Sequence, residues 1–149
     1  MKHPQDLAKS LNQYFPNESL KKIADYACCI FVLMWCLKIE PDDVEAVKMA
    51  QLLREKKVVS DDCAVYWYKA VPYLCGKELE NVEFKKIKSL KEIKKRTPVL
   101  MALNGNDEGV GHWVGVENGK IKFNPKEYSI NAEKGKPVEA RVLKIKGEK

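Results

Sequence analysis

The sequence predicts an α+β fold, in which helices form the first half of the chain and an antiparallel sheet forms the second. Residues 1–76 carry apolar side chains at helical spacing between helix-start and helix-stop signals. Residues 77–149 carry short apolar or alternating runs that are separated by turn residues. A chain of 149 residues with no break in composition has the size of one domain. We therefore expect a single domain, 1–149, with a helical half and a mainly β half.

The composition is typical of a globular protein, with 45% hydrophobic and 32% charged residues. The longest apolar run, Ala27 to Leu37, is too short to cross a bilayer, which takes about 20 residues. The first residues, MKHPQDLAKSLNQYF, mix charged and amide side chains where a secretory signal needs an apolar stretch. We therefore expect a cytoplasmic monomer without a transmembrane segment, which lysis or a non-classical route would release.

The formal net charge of +6 does not by itself predict a nucleic-acid partner. The lysines are spread along the chain with carboxylates between them, as in KELENVEFKKIKSLKEIKKR, which we interpret as a solvated helix and its flanks. We expect no nucleic-acid partner. The same charge also fits attraction to an anionic surface such as a bacterial cell wall.

The cysteines indicate free thiols rather than a metal site. They form no CxxC pair, and their odd number leaves at least one thiol unpaired. Cys28 and Cys29 are adjacent and cannot readily face one metal ion, while His3 and His112 are far apart in sequence. We expect no metal and no cofactor. The remaining cysteines are interpreted as small core residues: Cys36, Cys63 and Cys75.

Helix signals divide the first half of the chain. An amphipathic segment from Asp6 to Tyr14 is broken at Phe15-Pro16-Asn17, and a second helix follows. The part of that helix from Cys28 to Ile39 is apolar on all sides apart from Lys38, which is the pattern of a helix surrounded by protein. We take it as the central helix.

Two further helices are predicted before the sheet. Pro41-Asp42-Asp43 starts a helix that runs to about Lys57, because proline and carboxylates suit a first turn. Ser60-Asp61-Asp62 starts another, and Pro72 and Gly76 end the helical half. Its predicted face consists of Cys63, Tyr66, Trp67 and Ala70.

The second half contains the strand signals. Ser89 to Lys95 predicts a short polar helix, and Pro98 to Leu103 predicts a strand buried on both faces. Residues 104–111 read as a flexible glycine-rich loop. Residues 112–123 predict a β-hairpin around Glu117-Asn118-Gly119-Lys120, and Glu139 to Lys146 alternates as a final strand.

The hairpin register determines where Asn124 points, and the sequence leaves two registers open. A two-residue Asn118-Gly119 turn puts His112 and Phe123 on one face and Asn124 on the other. A three-residue loop from Glu117 to Gly119, followed by a bulge, pairs His112 with Asn124 instead.

Cys28 and His112 form a candidate nucleophile and base. A thiol becomes a strong nucleophile as thiolate, and a helix N-terminus or a nearby imidazolium lowers its pKa. Cys28 lies where the polar segment from Glu18 to Asp25 gives way to the buried helix, and His112 opens a strand after a loop. Cys29 shares a helical face with Val32, Leu33 and Cys36, but a shift of the helix start by one residue would exchange the two cysteines.

These segments resemble a known superfamily. Tyr26-Ala27-Cys28-Cys29-Ile30-Phe31 resembles the nucleophile segment of papain-like cysteine peptidases, where an aromatic residue follows the cysteine by three positions. Gly111-His112-Trp113-Val114-Gly115-Val116, followed by Asn118-Gly119-Lys120 and Phe123-Asn124-Pro125, resembles the histidine, strand, turn, strand and Asp/Asn-Pro module of bacteriocin-leader-processing peptidases and their bacterial and phage relatives.

The resemblance implies a papain-like fold and a triad that hydrolyses an amide bond. Cys28 would be the nucleophile, with Cys29 as the alternative, His112 the general base and Asn124 the residue that orients the imidazole. The substrate would be a peptide or a peptidoglycan cross-link. The family's usual glutamine about six residues before the nucleophile is absent, because Lys22 stands there. That departure keeps open a second hypothesis, a papain-like binding or structural module without catalysis.

Overall fold

The computed structural model describes residues 1–104 and 111–148 and confirms the α+β prediction: helices occupy the N-terminal half, and an antiparallel sheet the C-terminal half. The predicted loop at 104–111 lies mostly outside the described residues. The helices are α1 (Pro4–Tyr14), α2 (Glu18–Tyr26), α3 (Cys28–Cys36), α4 (Asp43–Glu55), α5 (Trp67–Cys75) and α6 (Ile130–Lys134). The strands are β1 (Leu79–Lys86), β2 (Thr97–Ala102), β3 (His112–Glu117), β4 (Lys120–Phe123) and β5 (Lys136–Ile145).

Side-chain caps explain where α2 and α4 begin. The Asn17 side chain accepts the N–H groups of Ser19 and Leu20, which stops α1 and α2 from merging. Asp42 accepts the N–H of Glu45 and starts α4 as the sequence predicts. Both caps are therefore contacts between residues close together in sequence.

Helix α3 is the central element. Its residues from Cys28 to Trp35 are all buried, as expected for a helix that is apolar on all sides. A side chain at Gly115 of β3 would lie 2.4 Å from the Trp35 ring, so a glycine is needed there for α3 to pack closely on the sheet. Within the described residues, no helix is long and apolar enough to span a membrane.

The predicted helix start at Ser60 is wrong, because the chain makes a tight turn there. Cys63 has a positive φ of 64°, and the Ser60 N–H donates to the Ala64 carbonyl at 2.9 Å. The Ser60 hydroxyl also accepts the Ala64 N–H, which replaces the helical pattern with a closed turn. Helix α5 therefore begins only at Trp67. Pro72 lies inside it, and the left-handed Gly76 ends it.

The charged segment after α5 is a strand, not the expected solvated helix. Strand β1 pairs with β5 at the edge of the sheet and is largely exposed, so its charged side chains face water and discourage pairing with another chain. Of the predicted polar helix, only a short 3-10 turn remains at Leu90–Glu92, held by a capping box between Ser89 and Glu92.

Within the described residues the strand order is β1-β5-β2-β3-β4, with all neighbours antiparallel. One face packs on the helices: Phe123 stacks on Trp35 with ring centroids 6.0 Å apart, and Leu143 contacts the cluster that contains Leu33. The opposite face carries a separate core cluster that contains Val99, Val114 and Val116. Helix α3 therefore packs on the helix-facing side of β3, and its first residue, Cys28, lies beside the Trp113 N–H.

Candidate functional site

The hairpin combines features of both predicted registers. Asn118 and Gly119 have positive φ values of 52° and 76°, as a two-residue type I′ turn requires. Val116 pairs with Ile121, but Gly115 pairs with Phe123, so Lys122 has no partner and forms a β-bulge. The extra residue exchanges the two faces of β4. It turns Phe123 toward Trp35 and brings Asn124 to the His112 side.

His112 and Asn124 are joined by a hydrogen bond of 2.7 Å between Nε2 and Oδ1. The Lys126 backbone N–H also points at this atom of Asn124, at 3.2 Å, and because a backbone N–H can only donate, the atom must be the carbonyl oxygen. An oxygen acceptor requires a proton on Nε2. In the neutral ring, Nδ1 therefore carries the lone pair and is the nitrogen able to accept a proton.

Cys28 is the first residue of α3. Helix α2 ends at Tyr26, and Ala27 serves as the last cap of one helix and the first cap of the next. Burial raises the pKa of the Cys28 thiol, while the Trp113 backbone N–H, the Lys126 charge and the N–H groups of Cys29 and Cys28 itself lower it. The thiol thus lies beside donors that stabilise negative charge on sulfur.

The environment of Cys29 is less suited to a thiolate. Burial raises the pKa of the Cys29 thiol well above its ordinary value, and the Arg141 charge offsets only part of that rise. No backbone donor contributes to its pKa in the way that Trp113 contributes to that of Cys28. The surroundings of Cys28 therefore stabilise a thiolate better than the surroundings of Cys29 do.

Two of the three predicted residues are in direct contact, and the third lies close by. Among the described residues no hydrogen bond joins the Cys28 thiol to the His112 ring. By strand alternation His112 is on the Val114 face of β3, whereas Trp113 faces α3. The Lys126 charge lowers the pKa values of both Cys28 and His112, so both groups lie within the range of one ammonium.

A cleft of about 480 Å³ opens beside the thiol between the helical half and the sheet. Cys28, Cys29 and Trp113 line it, and Arg141 of β5 reaches it from the sheet side. Its helical side carries Asp25 and Asp62, the latter paired with Lys22 at 2.5 Å. In residues 1–104 and 111–148 there is no cluster of His, Cys, Asp or Glu able to hold a metal ion.

Gln5, which no sequence pattern indicated, is a buried residue that supports the start of α3. Only 1% of Gln5 is exposed, and its Nε2 donates to the Ala24 carbonyl at 3.1 Å in the last turn of α2. Its backbone N–H donates to the Pro125 carbonyl, next to Asn124. Gln5 therefore ties the α2–α3 junction to the end of the hairpin. A glutamine just before the amphipathic segment predicted from Asp6 to Tyr14 offered no sequence signal for this position.

Arg141 is a second residue of the site that the sequence did not indicate, because alternation in β5 predicts a strand without assigning a role to its side chains. The guanidinium carbon lies 3.9 Å from the Phe84 ring centroid and 5.0 Å from that of Trp113. Within EARVLKIK, alternation places Arg141 on the same face of the strand as Leu143. This shared face was the available sequence signal that Arg141 lies toward the helices.

We expect the pKa of His112 in the folded protein to lie below its ordinary value of 6.5, because burial lowers it more than the bond to Asn124 raises it. Asn124→Ala should lower this pKa further. The fold then favours the neutral ring, so its contribution to stability is complete above pH 6.5 and is lost as the pH falls through the folded pKa.

An NMR titration of the His112 ring from about pH 5 to about pH 8 measures this pKa, and denaturant unfolding measures the stability over the same range. Asn81→Ala, on the exposed edge strand β1, is the control and should leave the titration unchanged. A pKa that rises in Asn124→Ala would contradict the assigned hydrogen bond.

Comparisons of the chain with models of protein families, with curated proteins and with solved structures found no match, so the assignment of the site depends on its own geometry and chemistry.

Proposed function

We propose that this chain is a papain-like cysteine hydrolase that cleaves an amide bond with Cys28, His112 and Asn124. The observation that carries the proposal is the 2.7 Å bond from His112 Nε2 to Asn124 Oδ1, created by a bulge in a hairpin beside the start of α3. An amide that orients the far nitrogen of an imidazole leaves the near nitrogen for a thiol. A helix that presents its first residue, a cysteine, to an antiparallel sheet supports the papain-like arrangement.

The chemistry follows from these positions. His112 Nδ1 takes the thiol proton, and the Cys28 thiolate attacks the carbonyl carbon of the substrate. The N–H groups at the start of α3 stabilise the resulting oxyanion. The imidazolium then gives its proton to the leaving amine as the C–N bond breaks and a thioester forms. Water, deprotonated by the same ring, hydrolyses the thioester and releases the acid.

In this proposal the Cys28 thiol meets the His112 ring near the first residues of β3. His112 begins on the sheet face away from α3, and the Trp113 N–H beside the sulfur marks the point of closest approach. A rotation of the His112 side chain in the free protein would complete the pair, and the hydrogen bond would tighten further when substrate binds.

The substrate class is a peptide or a peptidoglycan cross-link. The cleft beside Cys28 is open and lies between two halves of the fold, as suits an extended chain rather than an enclosed small molecule. A bacterial or phage setting agrees with the pattern of the histidine hairpin. The net charge of +6 favours an anionic target such as a cell wall.

The test is the pH dependence of alkylation by iodoacetamide, followed for each cysteine by mass spectrometry. In the wild type we expect Cys28 to react at least about tenfold faster than Cys29 near pH 7, because the neutral His112 ring can accept the Cys28 proton and the resulting ion pair stabilises the thiolate. His112→Gln should remove this advantage. Lys85→Gln, on the exposed edge strand, should leave it unchanged and is the matched control.

The second candidate function is a papain-like binding module without catalysis. It is favoured by the lack of a thiol–imidazole hydrogen bond among the described residues and by burial, which raises the pKa of Cys28. The same alkylation experiment separates the two functions. A Cys28 that is as unreactive as Cys29, and insensitive to His112→Gln, would exclude the hydrolase and leave the binding module.

A further inference from the structure

Arg141 lines the cleft, and its contacts within the protein leave part of its hydrogen-bonding capacity unused. The guanidinium carbon lies over both the Phe84 and the Trp113 rings, 3.9 Å and 5.0 Å from their centroids, and these contacts hold it at the cleft. Only 13% of the side chain is exposed, and Nε is buried without a hydrogen-bond partner. Among the described residues its one acceptor is Glu139, at 3.4 Å from Nη1, which is long for a charge-assisted hydrogen bond.

Comparison with Arg96 shows what a structural arginine looks like in this fold. Arg96 also lies over a ring, that of Trp35, and its Nε also lacks a hydrogen-bond partner among the described residues. It differs in donating to the Trp35 carbonyl at 2.9 Å and in having two carboxylates nearby, those of Glu40 at 3.5 Å and Glu117 at 3.8 Å. Among the described residues, Arg141 has no backbone acceptor and only one nearby carboxylate, that of Glu139, and it faces the cleft. Its planar donors are therefore less completely used by the protein.

The charges that line the cleft are unevenly distributed. Among the described residues of its lining, Arg141 carries the only positive charge, and it lies on the sheet side near Trp113. Asp25 and Asp62 lie on the helical side. A ligand that crosses the cleft beside Cys28 would meet a positive charge at one wall and carboxylates at the other.

We propose that Arg141 is a specificity-determining residue that binds a carboxylate of the substrate beside Cys28. The ligand is a peptide that carries a carboxylate next to the bond to be cleaved, either an acidic side chain or a terminal carboxyl group. The N–H groups of a guanidinium form a planar fork, which matches the two oxygens of a carboxylate, and the two rings beside Arg141 limit its movement. This inference rests on the proposed hydrolase function, because it places the carboxylate beside the proposed nucleophile.

The binding test uses the full chain with Cys28→Ala, so that no turnover intervenes. Three peptides are compared by calorimetry and by the NMR signal of the Arg141 Nε–H. They are acetyl-Ala-Glu-Ala-amide, its Gln twin, and the Gln twin with a free terminal carboxylate. We expect a carboxylate peptide to bind about tenfold tighter than the neutral twin and to shift the Nε–H signal.

Variants show whether Arg141 is responsible. Arg141→Gln should equalise the three affinities, and Arg141→Lys, which keeps the charge but loses the fork, should retain only part of the difference. Lys144→Gln, an exposed change on the same strand, should alter nothing. A gain from the side-chain or the terminal carboxylate supports the proposal and identifies its source. Equal affinities for all three peptides in the Cys28→Ala protein would overturn it.

A parallel assay separates this inference from the hydrolase proposal. The wild-type chain is tested for cleavage of coumarin amides of acidic and neutral peptides. Carboxylate-dependent binding without any cleavage would overturn the hydrolase and leave Arg141 as a binding residue. Cleavage of acidic and neutral peptides with equal kcat/KM would overturn the role of Arg141 and leave the hydrolase standing.

Discussion

Cys28→Ala is expected to abolish amide hydrolysis, with a loss of kcat of at least about a thousandfold on any peptide that the wild type cleaves. The change removes the only atom that forms the covalent intermediate in the proposed mechanism. Its effect on stability should be small, because alanine fits where a thiol packs at the first residue of α3. The measurement is steady-state hydrolysis of peptide coumarin amides, with circular dichroism as a check that the fold is kept.

Cys29→Ala is the matched control, since it makes the same change one residue away in the same helix. It should keep most of the activity, because the Cys29 thiol lacks the Trp113 N–H and its pKa is raised well above the ordinary value by burial. Full loss of activity in Cys29→Ala, with Cys28→Ala active, would exchange the roles of the two cysteines. Activity in both would exclude a thiol at the start of α3 as nucleophile.

Phe31→Ala is expected to lower the free energy of unfolding by about 3–5 kcal/mol. Phe31 is 0% exposed and lies one turn after Cys28 in α3. Every residue of this helix from Cys28 to Trp35 is buried. Truncation would leave a cavity in the helix that carries the candidate nucleophile, and the surrounding core could close it only in part. Chemical denaturation monitored by circular dichroism measures the loss.

Phe15→Ala is the control for the same truncation at the surface. Phe15 is 71% exposed at the end of α1, so its removal should change the free energy of unfolding by no more than about 0.5 kcal/mol. Equal losses in the two variants would show that α3 is not packed as described. A loss confined to Phe31→Ala supports the position of α3 in the core.

Much of the fold could be predicted from residues close together in sequence. Helix α3 was predicted because its side chains are apolar in every direction, and α4 because Asp42 caps it. The prediction of a helix at 60–66 was wrong because Ser60-Asp61-Asp62 suits a helix start and a closed turn equally well. The choice depended on Val59 pairing with Val65 across the turn, a contact that local propensity does not contain.

The candidate site was predicted in its residues but only in part in its geometry. Both hairpin registers were compatible with the sequence, and the structure combines the turn of one with the bulge of the other. The bulge lets Phe123 stack on Trp35 while Asn124 reaches His112. The papain-like assignment and the triad stay predictions, and the experiments on Cys28 and His112 are their tests.

The sequence by itself determined that helices precede the sheet, that α3 is buried and that a hairpin turns at Asn118-Gly119, because each depends on neighbouring side chains and backbone preferences. Only the tertiary structure decided that Gln5 braces the α2–α3 junction and that Arg141 enters the cleft between Phe84 and Trp113. These contacts join residues that are far apart along the chain. They exist because packing α3 on the sheet brings distant segments together, and no local pattern records which side chains then meet.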